Sequence, residues 1–238
     1  MIKLSRSAIE QSLRCPRCFV LERRMGLKPP SMVPLTLAVA TDALLKNEFD
    51  QIRGTNKSHP LWELHGLPVR AFSHQDLDLW RSNFKGIRIT YSAGIEVFGA
   101  VDDIWQNVES GELYVVDYKS TSKKDAPSLD GGFGDSYKRQ MEVYQWLLRA
   151  VGFKVSDTGF FLYVNGRKDR TFYRTGTTEG QLVFDTTLLS HVGSDSWVPS
   201  AVERAVSLLQ SEEVPIGSST CDSCRYFSDR LKLSEERL

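Results

Sequence analysis

The sequence is short of several features that define large classes of protein. No stretch approaches the roughly 18 to 20 consecutive apolar residues that span a bilayer, and we find no internal repeat or low-complexity tract. Proline is scarce, with 9 residues, and 41% of the residues are hydrophobic, as expected of a folded chain. The 30 basic and 30 acidic residues cancel, so bulk charge does not indicate a nucleic-acid partner. We expect one substantial domain with a core and no membrane association.

The segment GAVDDIWQNVESGELYVVDYK carries the most informative pattern of the chain. Residues 97–108 and 112–119 are rich in Val, Ile, Trp and Tyr and flank a Glu-Ser-Gly sequence. This arrangement predicts two antiparallel strands joined by a tight turn. A turn centred near Ser110 places Asp102 opposite Tyr118, so we expect its carboxylate to reach the end of the second strand.

An Asp-x-Lys sequence ends that second strand. Because alternate residues of a strand share a face, Asp117 and Lys119 point together while Tyr118 points away. Mg²⁺ and Mn²⁺ take carboxylate ligands, with water and phosphate completing the shell, and a nearby lysine can activate water or stabilise charge on a phosphate. Together with Asp102, the pattern predicts metal-dependent phosphodiester hydrolysis. The alternative is an exposed Asp-Lys pair worth about 0 to 1 kcal/mol.

A helix is predicted at residues 137–151, YKRQMEVYQWLLRAV. Gln140 and Tyr144 are four positions apart and therefore lie on one helical face. An amphipathic helix with Met141 and Leu148 in the core explains the apolar members of this face. Packing does not explain Gln140, which we therefore take as a candidate functional residue.

The four cysteines form two C-x-x-C pairs at opposite ends of the chain, Cys15 with Cys18 and Cys221 with Cys224. Each pair places two thiolates at chelating distance, and two pairs complete a tetrahedral set for Zn²⁺ or an iron-sulfur cluster. We find no signal peptide and expect a cytosolic chain, where disulfides are disfavoured. The alternative is four accidental buried thiols. A shared site would tie the two ends of the chain together.

These motifs resemble those of a known nuclease family. GAVDDIW and VVDYKS resemble motifs II and III of the PD-(D/E)XK nuclease superfamily in its RecB-like branch, and QMEVY resembles the Q-x-x-x-Y motif of that branch. The opening LSRSAIEQSLRCPRCFVLERRMGLK resembles RecB-like members with an iron-sulfur cluster, including CRISPR-associated, AddB-type and exonuclease V-type nucleases. The resemblance implies a metal-dependent DNA nuclease in which Gln140 and Tyr144 hold DNA near the active site.

The chain departs from the family pattern at two places. Those nucleases commonly use one N-terminal and three C-terminal cysteines, whereas here Cys18 replaces a C-terminal ligand. The resemblance implies a 4Fe-4S cluster, and the departure leaves Zn²⁺ open. The family also places a histidine in a G-x-x-x-H pattern, where this chain has Ala38 and Asp42. Asp42 is either a substitute ligand or a solvent-facing residue. The predicted Mg²⁺ or Mn²⁺ ligands are Asp42, Asp102, Asp117 and Tyr118.

The fold class that we predict is α/β with the αβββαβ core of the superfamily, helical additions before it, and a metal-stapled junction of the two termini. Helices are expected at 5–24, 34–52, 135–151 and 199–210. Strands are expected at about 86–92, 95–107, 112–119, 158–164, 170–175 and 181–186, with a polar helix or strand-helix mixture at 69–82. Residues 1–238 are predicted to form a single nuclease domain, with 1–33 and 212–238 as the cluster subregion and 34–211 as the core.

Basic residues cluster near the predicted site. Four of them lie close in sequence to the Asp-x-Lys motif or Gln140 and are predicted to contact DNA phosphates: Lys123, Lys124, Lys138 and Arg139. A later cluster fits a solvated hairpin face better: Arg167, Lys168, Arg170 and Arg174.

The leading hypothesis is a metal-dependent deoxyribonuclease, an exonuclease acting on single-stranded DNA or DNA ends. Its expected partners are DNA and proteins of a repair, recombination or CRISPR-adaptation complex. The alternative is a DNA-binding module of the same fold with weakened catalysis, which the missing motif histidine favours. A third hypothesis is an RNA-processing nuclease, although no motif here reads a 2′-hydroxyl.

Overall fold

A computed structural model of the chain describes residues 1–30, 33 and 35–235. Helices and strands alternate along these residues. In chain order they are β1 (Ile2–Ser5), α1 (Arg6–Arg14), α2 (Pro16–Arg23), α3 (Thr36–Asp50), α4 (Pro60–Leu64), β2 (Val69–Ala71), α5 (Leu77–Trp80), β3 (Ile87–Ser92), β4 (Ile95–Gly99), β5 (Asp103–Asn107), β6 (Leu113–Thr121), α6 (Gly134–Ala150), β7 (Thr158–Gly166), β8 (Phe184–Val192), α7 (Val198–Gln210) and α8 (Asp222–Glu235).

The described residues divide into two compact units. Met1–Val33, Thr90–Phe98 and Ser196–Leu238 form the first, which we call the terminal unit, and Pro34–Ile89 with Gly99–Asp195 form the central unit. In the terminal unit, α1 packs against α2 and α7. Among the residues that the structure describes, no helix combines the length and the apolar character needed to cross a membrane.

A five-stranded mixed sheet organises the central unit, with strand order β2-β5-β6-β7-β8. The strands β6 and β7 run parallel and are joined through α6, whereas the other neighbours are antiparallel. The predicted αβββαβ order is present as α3, β2, β5, β6, α6 and β7. The first strand of this core is β2, however, and not the strand at 87–92, which belongs to a separate sheet of order β1-β4-β3.

Helices cover both faces of the central sheet, since both α3 and α6 contact β6. On the α3 face an aromatic cluster fills the core, with ring centres of Phe49, Trp62 and Trp105 5.3–5.6 Å apart. Tyr118 and Phe160 belong to the same cluster. Burial on both faces explains the near-continuous apolar sequence of β6 and β7.

The single helix predicted at 5–24 is wrong in one respect, because this segment forms two helices, α1 and α2. Cys15 separates α1 from α2 and has an extended backbone, with φ of −155° and ψ of 100°. Pro16 follows it, and the residue before a proline is disfavoured in the helical region. The break makes Cys15 the residue that precedes a helix start.

The predicted hairpin register is wrong by one residue. Asp103 pairs with Val116 and Gln106 with Leu113. Continued by one residue, this register places Asp117 opposite Asp102, where the sequence predicts Tyr118. The turn is centred between Glu109 and Ser110 instead of on Ser110, because the N–H of Asn107 donates to the carbonyl of Glu112 over 2.9 Å. The predicted strand at 95–107 is also interrupted at residues 100–102.

Two further strand predictions are wrong. Residues 170–175 form no strand and make only an isolated bridge between Tyr173 and Gly180, and the strand expected at 181–186 runs over Phe184–Val192. The bounds of β8 follow from its pairing with β7 along the whole length of that strand. The helix α8 is absent from the sequence-based prediction, and its side chains are mostly exposed. The start of the predicted 34–52 helix and residues 236–238 lie outside the described residues.

Candidate active site

Two carboxylates meet where the ladder between β5 and β6 ends. Asp102 lies in the break between β4 and β5, and Asp117 lies in the middle of β6. The main-chain N–H of Tyr118 donates to Asp102 Oδ2 over 2.9 Å, which holds the Asp102 side chain against β6. Asp117 is fully buried, and its charge acts on Asp102. The structure therefore brings together the two acidic residues that the sequence pattern singled out.

Negative charge is concentrated at this pair. Burial raises the pKa of Asp102 to about 7, and the neighbouring Asp117 carboxylate acts in the same direction. Lys119, Lys46 and the Tyr118 N–H oppose the shift without cancelling it. Two adjacent carboxylates, one of them fully buried, resist double ionisation unless a cation compensates them. The pair thus has the electrostatic requirement of a site for a divalent cation.

Lys119 lies on the same face of β6 as Asp117, as strand alternation predicts. Its Nζ forms an ion pair with Asp117 Oδ2 and lies 4.5 Å from the centre of the Tyr137 ring. Only 15% of the side chain is exposed. The ring face attracts the ammonium, so Tyr137 and Asp117 together keep Lys119 in the site.

Gln140 and Tyr144 reach the same carboxylate from α6. The side-chain amide of Gln140 donates to Asp117 Oδ1 over 2.9 Å and to the Tyr144 hydroxyl over 3.0 Å. Tyr144 is 4% exposed, so it lies beneath the site and not on its surface. Gln140 orients Asp117 in this arrangement, and contact of either residue with DNA stays a prediction.

The close approach of α6 explains why the first residue of the G-x-x-D motif, Gly99, is a glycine. A Cβ atom at this position would lie 2.8 Å from the Tyr144 ring and 3.1 Å from Leu147. Both side chains are buried, so neither can move away cheaply. The glycine allows α6 to approach the end of β4, and the G-x-x-D and Q-x-x-x-Y motifs are thereby physically linked.

Asp42 lies on α3 and approaches the pair through a lysine that the sequence reasoning missed. Lys46 Nζ is 2.7 Å from Asp42 Oδ2 and 3.9 Å from Asp102 Oδ1. The i, i+4 spacing of Asp42 and Lys46 was the available signal. The structure places Asp42 on the side of the site, bound to Lys46, and its role as a metal ligand stays a prediction.

Asp42→Asn is expected to raise the Mn²⁺ concentration at half-saturation, because the substitution removes one oxygen charge and keeps the side-chain size. Asp42→His is expected to restore Mn²⁺ binding, since imidazole is also a ligand for such metals. Titration of Mn²⁺ by calorimetry on the purified variants measures both effects. Glu48→Gln, on the same helix, is the matched control.

Lys46→Met separates ligation by Asp42 from a purely indirect effect. If Asp42 binds the metal, Asp42→Asn is expected to weaken Mn²⁺ binding in the Lys46→Met background as well, whereas an effect that acts only through Lys46 disappears in that background. Parental Mn²⁺ affinity in Asp42→Asn would show that Asp42 serves only its ion pair with Lys46.

Asp103 follows Asp102 but binds a separate set of side chains. Its Oδ1 accepts hydrogen bonds of 2.8 Å from both Arg53 and Arg81, and its Oδ2 accepts one of 2.8 Å from the Tyr118 hydroxyl. Asp103 is fully buried, and Asp50 neutralises the outer side of both guanidiniums. Burial disfavours the charge of Arg81, but Asp103 raises its pKa. This network holds Tyr118 and the start of β5, and the sequence reasoning missed it.

Asp103→Ala is expected to lower the free energy of unfolding by about 3–5 kcal/mol, because it leaves two buried guanidiniums without their shared partner. Asp50→Ala, whose side chain is 41% exposed, is expected to cost about 1 kcal/mol or less. Urea unfolding of both variants measures the difference. Equal losses in the two variants would contradict a central role for Asp103.

The four lysine and arginine residues predicted to contact DNA lie in the loop after β6 and at the start of α6. Lys123 and Lys124 are exposed in the loop after β6, and Lys138 lies about 4 Å from Asp130 and Asp135 at the start of α6. Arg139 is partly buried on the same helix. Contact with DNA stays a prediction for each of the four.

The four cysteines gather in the terminal unit, as the spacing predicted. Each C-x-x-C pair begins a helix, with Cys15 preceding α2 and Cys221 preceding α8. Their Sγ atoms all lie within 4.8 Å of one another, and the closest pairs are separated by 3.5–3.6 Å. The cluster ties the start of the chain to α8 and is compatible with a metal site.

The local backbone favours a thiolate at Cys15. Burial opposes the charge, but the main-chain N–H groups of Cys18 and Ser218 lower the pKa of Cys15 to about 7. The Ser218 N–H lies 3.5 Å from Cys15 Sγ. Helix starts supply such N–H groups and favour anions, so Cys15 is the thiol of the cluster that ionises most readily. Burial and the neighbouring cysteines raise the pKa of Cys18, and burial raises the pKa of Cys224.

The donor atoms of the two sites fit different metals. Carboxylate oxygens at Asp102 and Asp117 suit hard cations such as Mg²⁺ or Mn²⁺. The Tyr118 carbonyl faces the same edge of β6 as its N–H, because both groups of a strand residue point to one side. The Tyr118 side chain lies in the aromatic core, so only this carbonyl can join the set. The four sulfurs suit Zn²⁺ or an iron-sulfur cluster.

Comparison with known proteins gives one family. The sequence pattern of the PD-(D/E)XK nuclease superfamily matches residues 37–228. The match includes Asp102, Asp117, Lys119 and the second cysteine pair, and it begins after the first pair. No curated protein matches the chain.

Proposed function

The chain belongs to the PD-(D/E)XK nuclease superfamily, and on this premise we propose that it is a Mg²⁺- or Mn²⁺-dependent deoxyribonuclease of the RecB-like branch. The observation that carries the proposal is the environment of Asp117, which is buried, paired with Lys119 and oriented by Gln140 beside Asp102. Three separate sequence motifs thus converge on one carboxylate. A purely structural ion pair would not require this convergence.

In the proposed reaction, Asp102, Asp117 and the Tyr118 carbonyl would hold the metal, with Asp42 as a further candidate ligand. When bound, the divalent cation lowers the pKa of water and neutralises phosphate charge. Lys119 stabilises the negative charge that develops on the phosphate as water attacks phosphorus and the P–O bond to the leaving group breaks. Gln140 keeps Asp117 in the ligating orientation, and Tyr137 keeps the Lys119 ammonium beside it.

We propose DNA as the substrate, in single-stranded form or at ends, with exonuclease action. The exposed Lys123 and Lys124 beside β6 support contact with phosphates. We place the protein in the cytoplasm, within a repair, recombination or CRISPR-adaptation complex, on the basis of the resemblance of its motifs. Residues 1–33 and 212–238 are proposed as the cluster subregion of a single nuclease domain.

For the four cysteines we propose a structural metal. A tetrahedral ion with metal–sulfur bonds of about 2.3 Å separates its sulfurs by about 3.8 Å, close to the 3.5–3.6 Å of the nearest pairs. A four-iron cube occupies the space between its ligands and holds them further apart. The separations therefore favour Zn²⁺, whereas the 4Fe-4S cluster stays the expectation from the family resemblance.

The experiment that tests the proposed function is cleavage of end-labelled DNA. The purified full chain is incubated with single-stranded DNA, duplex DNA and RNA in Mg²⁺, in Mn²⁺ and in EDTA. We expect cleavage of DNA with either metal and none in EDTA. Stable DNA binding without cleavage would favour the alternative, a catalytically weakened DNA-binding module, and cleavage of RNA alone would indicate an RNA-processing nuclease.

A further inference from the structure

Two loops that are distant in sequence form one surface at the ends of β6 and β7. Asn165 accepts a 2.9 Å hydrogen bond from the Lys123 N–H and donates one of 3.0 Å to the Lys123 carbonyl. Lys168 Nζ donates to the Ser122 carbonyl over 2.9 Å. The loop after β6 and the loop after β7 are thus held together at the edge of the sheet.

A groove of about 450 Å³ lies at this edge, within the size range of ligand sites. The N-terminal turns of α3 form one wall, and the ends of β6, β7 and β8 form the other. Its walls combine apolar side chains with hydroxyl groups, among them Leu35, Leu37, Thr41, Ser120, Thr121 and Leu182. Leu35 and Leu37 are 70% and 74% exposed, so the apolar wall is accessible to a ligand.

The two loops that border the mouth of the groove carry exposed basic and aromatic side chains. Lys123 and Lys124 follow the lining residue Ser122, and Arg170 lies in the loop after β7. All three are exposed, and anionic ligands are attracted to exposed basic residues. Phe172 and Tyr173 follow in the same loop, 68% and 62% exposed, with ring centres 5.3 Å apart. Positive charge with exposed rings is the combination that binds single-stranded nucleic acid.

The groove adjoins the candidate active site. Ser120 follows Lys119 on β6, a rise of about 3.3 Å along the strand, and Thr41 precedes Asp42 on α3. Ser120 lines the groove with residues of α3, whereas Lys119 contacts Tyr137 of α6, so the groove and the carboxylate pair share the same end of β6. A chain of nucleotides that crosses this edge passes from the carboxylate pair into the groove.

We propose that the groove binds a single-stranded segment of DNA next to the phosphate that is cleaved. The inference rests on the proposed nuclease function and names the part of the substrate that its site holds. Unpaired bases can enter between the apolar walls and stack on the exposed rings, whereas a duplex keeps its bases inside. The basic residues at the mouth neutralise the adjacent phosphates.

Fluorescence anisotropy tests the groove directly. The full chain with Asp117→Asn, in EDTA, is titrated with a fluorescein-labelled oligothymidylate of about 15 nucleotides and with a duplex of the same length. In this background, Leu37→Glu is expected to weaken single-strand binding at least about tenfold, because it places a carboxylate on the apolar wall of the groove, where it repels phosphates and does not pack against bases. Leu64→Glu, at another exposed leucine of the central unit, is the matched control and is expected to bind like the parent.

The salt dependence of binding provides a second readout that a structural defect would not move. Lys123→Ala is expected to lower the slope of log Kd against log salt by about 0.7, the value for one lost phosphate contact on a single strand. Lys57→Ala, at an exposed lysine elsewhere in the central unit, is expected to leave the slope unchanged. Thermal melting of each variant confirms that the fold is retained.

The outcomes separate this inference from the nuclease proposal. If the parent cleaves DNA but Leu37→Glu and Lys123→Ala bind oligothymidylate like their controls, the groove is not a DNA site and the nuclease proposal stands. If the variants lose duplex and single-strand binding equally, the proposal that the groove binds single-stranded DNA in particular is overturned. If the parent never cleaves while both variants lose single-strand binding, the groove is supported and the nuclease proposal fails.

Discussion

Asp117→Asn and Lys119→Ala are each expected to lower the rate of DNA cleavage at least about a hundredfold, the scale seen when one electrostatic stabiliser is removed. Asparagine keeps the volume of Asp117 and can still accept the hydrogen bond from Gln140. The loss of cleavage rate therefore reports the removal of the negative charge and not a change in side-chain shape. Lys119→Ala removes the ammonium that lies between Asp117 and the Tyr137 ring. Single-turnover cleavage of end-labelled DNA in Mn²⁺ measures both losses.

Matched controls for these two variants are available on the same unit. Asp130→Asn replaces a carboxylate that is 95% exposed, and Lys57→Ala replaces an exposed lysine, so both are expected to cleave at the parental rate. Calorimetric titration should show weaker Mn²⁺ binding in Asp117→Asn, independent of turnover. Parental cleavage by either active-site variant would place the reaction elsewhere in the protein.

Cys18→Ser and Cys221→Ser are expected to destabilise the protein to a similar extent, because each removes one of four sulfurs from a single cluster. Binding of structural zinc contributes on the order of 10 kcal/mol to folding in small zinc domains. We therefore expect each cysteine variant to lose more stability than an ordinary surface substitution does. Thermal melting and metal analysis of the purified variants measure the effect. Ser223→Ala, between Cys221 and Cys224 on α8, is the matched control and is expected to melt like the parent.

The identity of the metal follows from the parent protein purified without oxygen. We expect one equivalent of zinc and a colourless preparation, because the sulfurs, 3.5–3.6 Å apart in the nearest pairs and all within 4.8 Å, are close enough to share a single tetrahedral ion. Iron, sulfide and visible thiolate-to-iron absorbance would instead establish the cluster that the family resemblance implies. Four freely titrating thiols in folded, metal-free protein would refute a metal of either kind.

Local periodicity made several parts of the site predictable. Strand alternation places Asp117 and Lys119 on one face, helical spacing places Gln140 and Tyr144 together, and C-x-x-C places two thiolates at chelating distance. These relations depend on a few neighbouring residues, and the structure shows each of them. The register of the hairpin depends on the hydrogen bonds of its turn, and there the prediction was wrong by one residue.

The sequence by itself determined which side chains share a strand face, a helix face or a chelating pair, because backbone geometry repeats over two to four residues. Only the tertiary structure decided that Lys46 stands beside Asp102, that Asp103 turns away to Arg53 and Arg81, and that the loops after β6 and β7 meet. Each of these contacts joins residues 22 to 56 positions apart. Such approaches depend on how the helices pack on the sheet, and no local pattern encodes that packing.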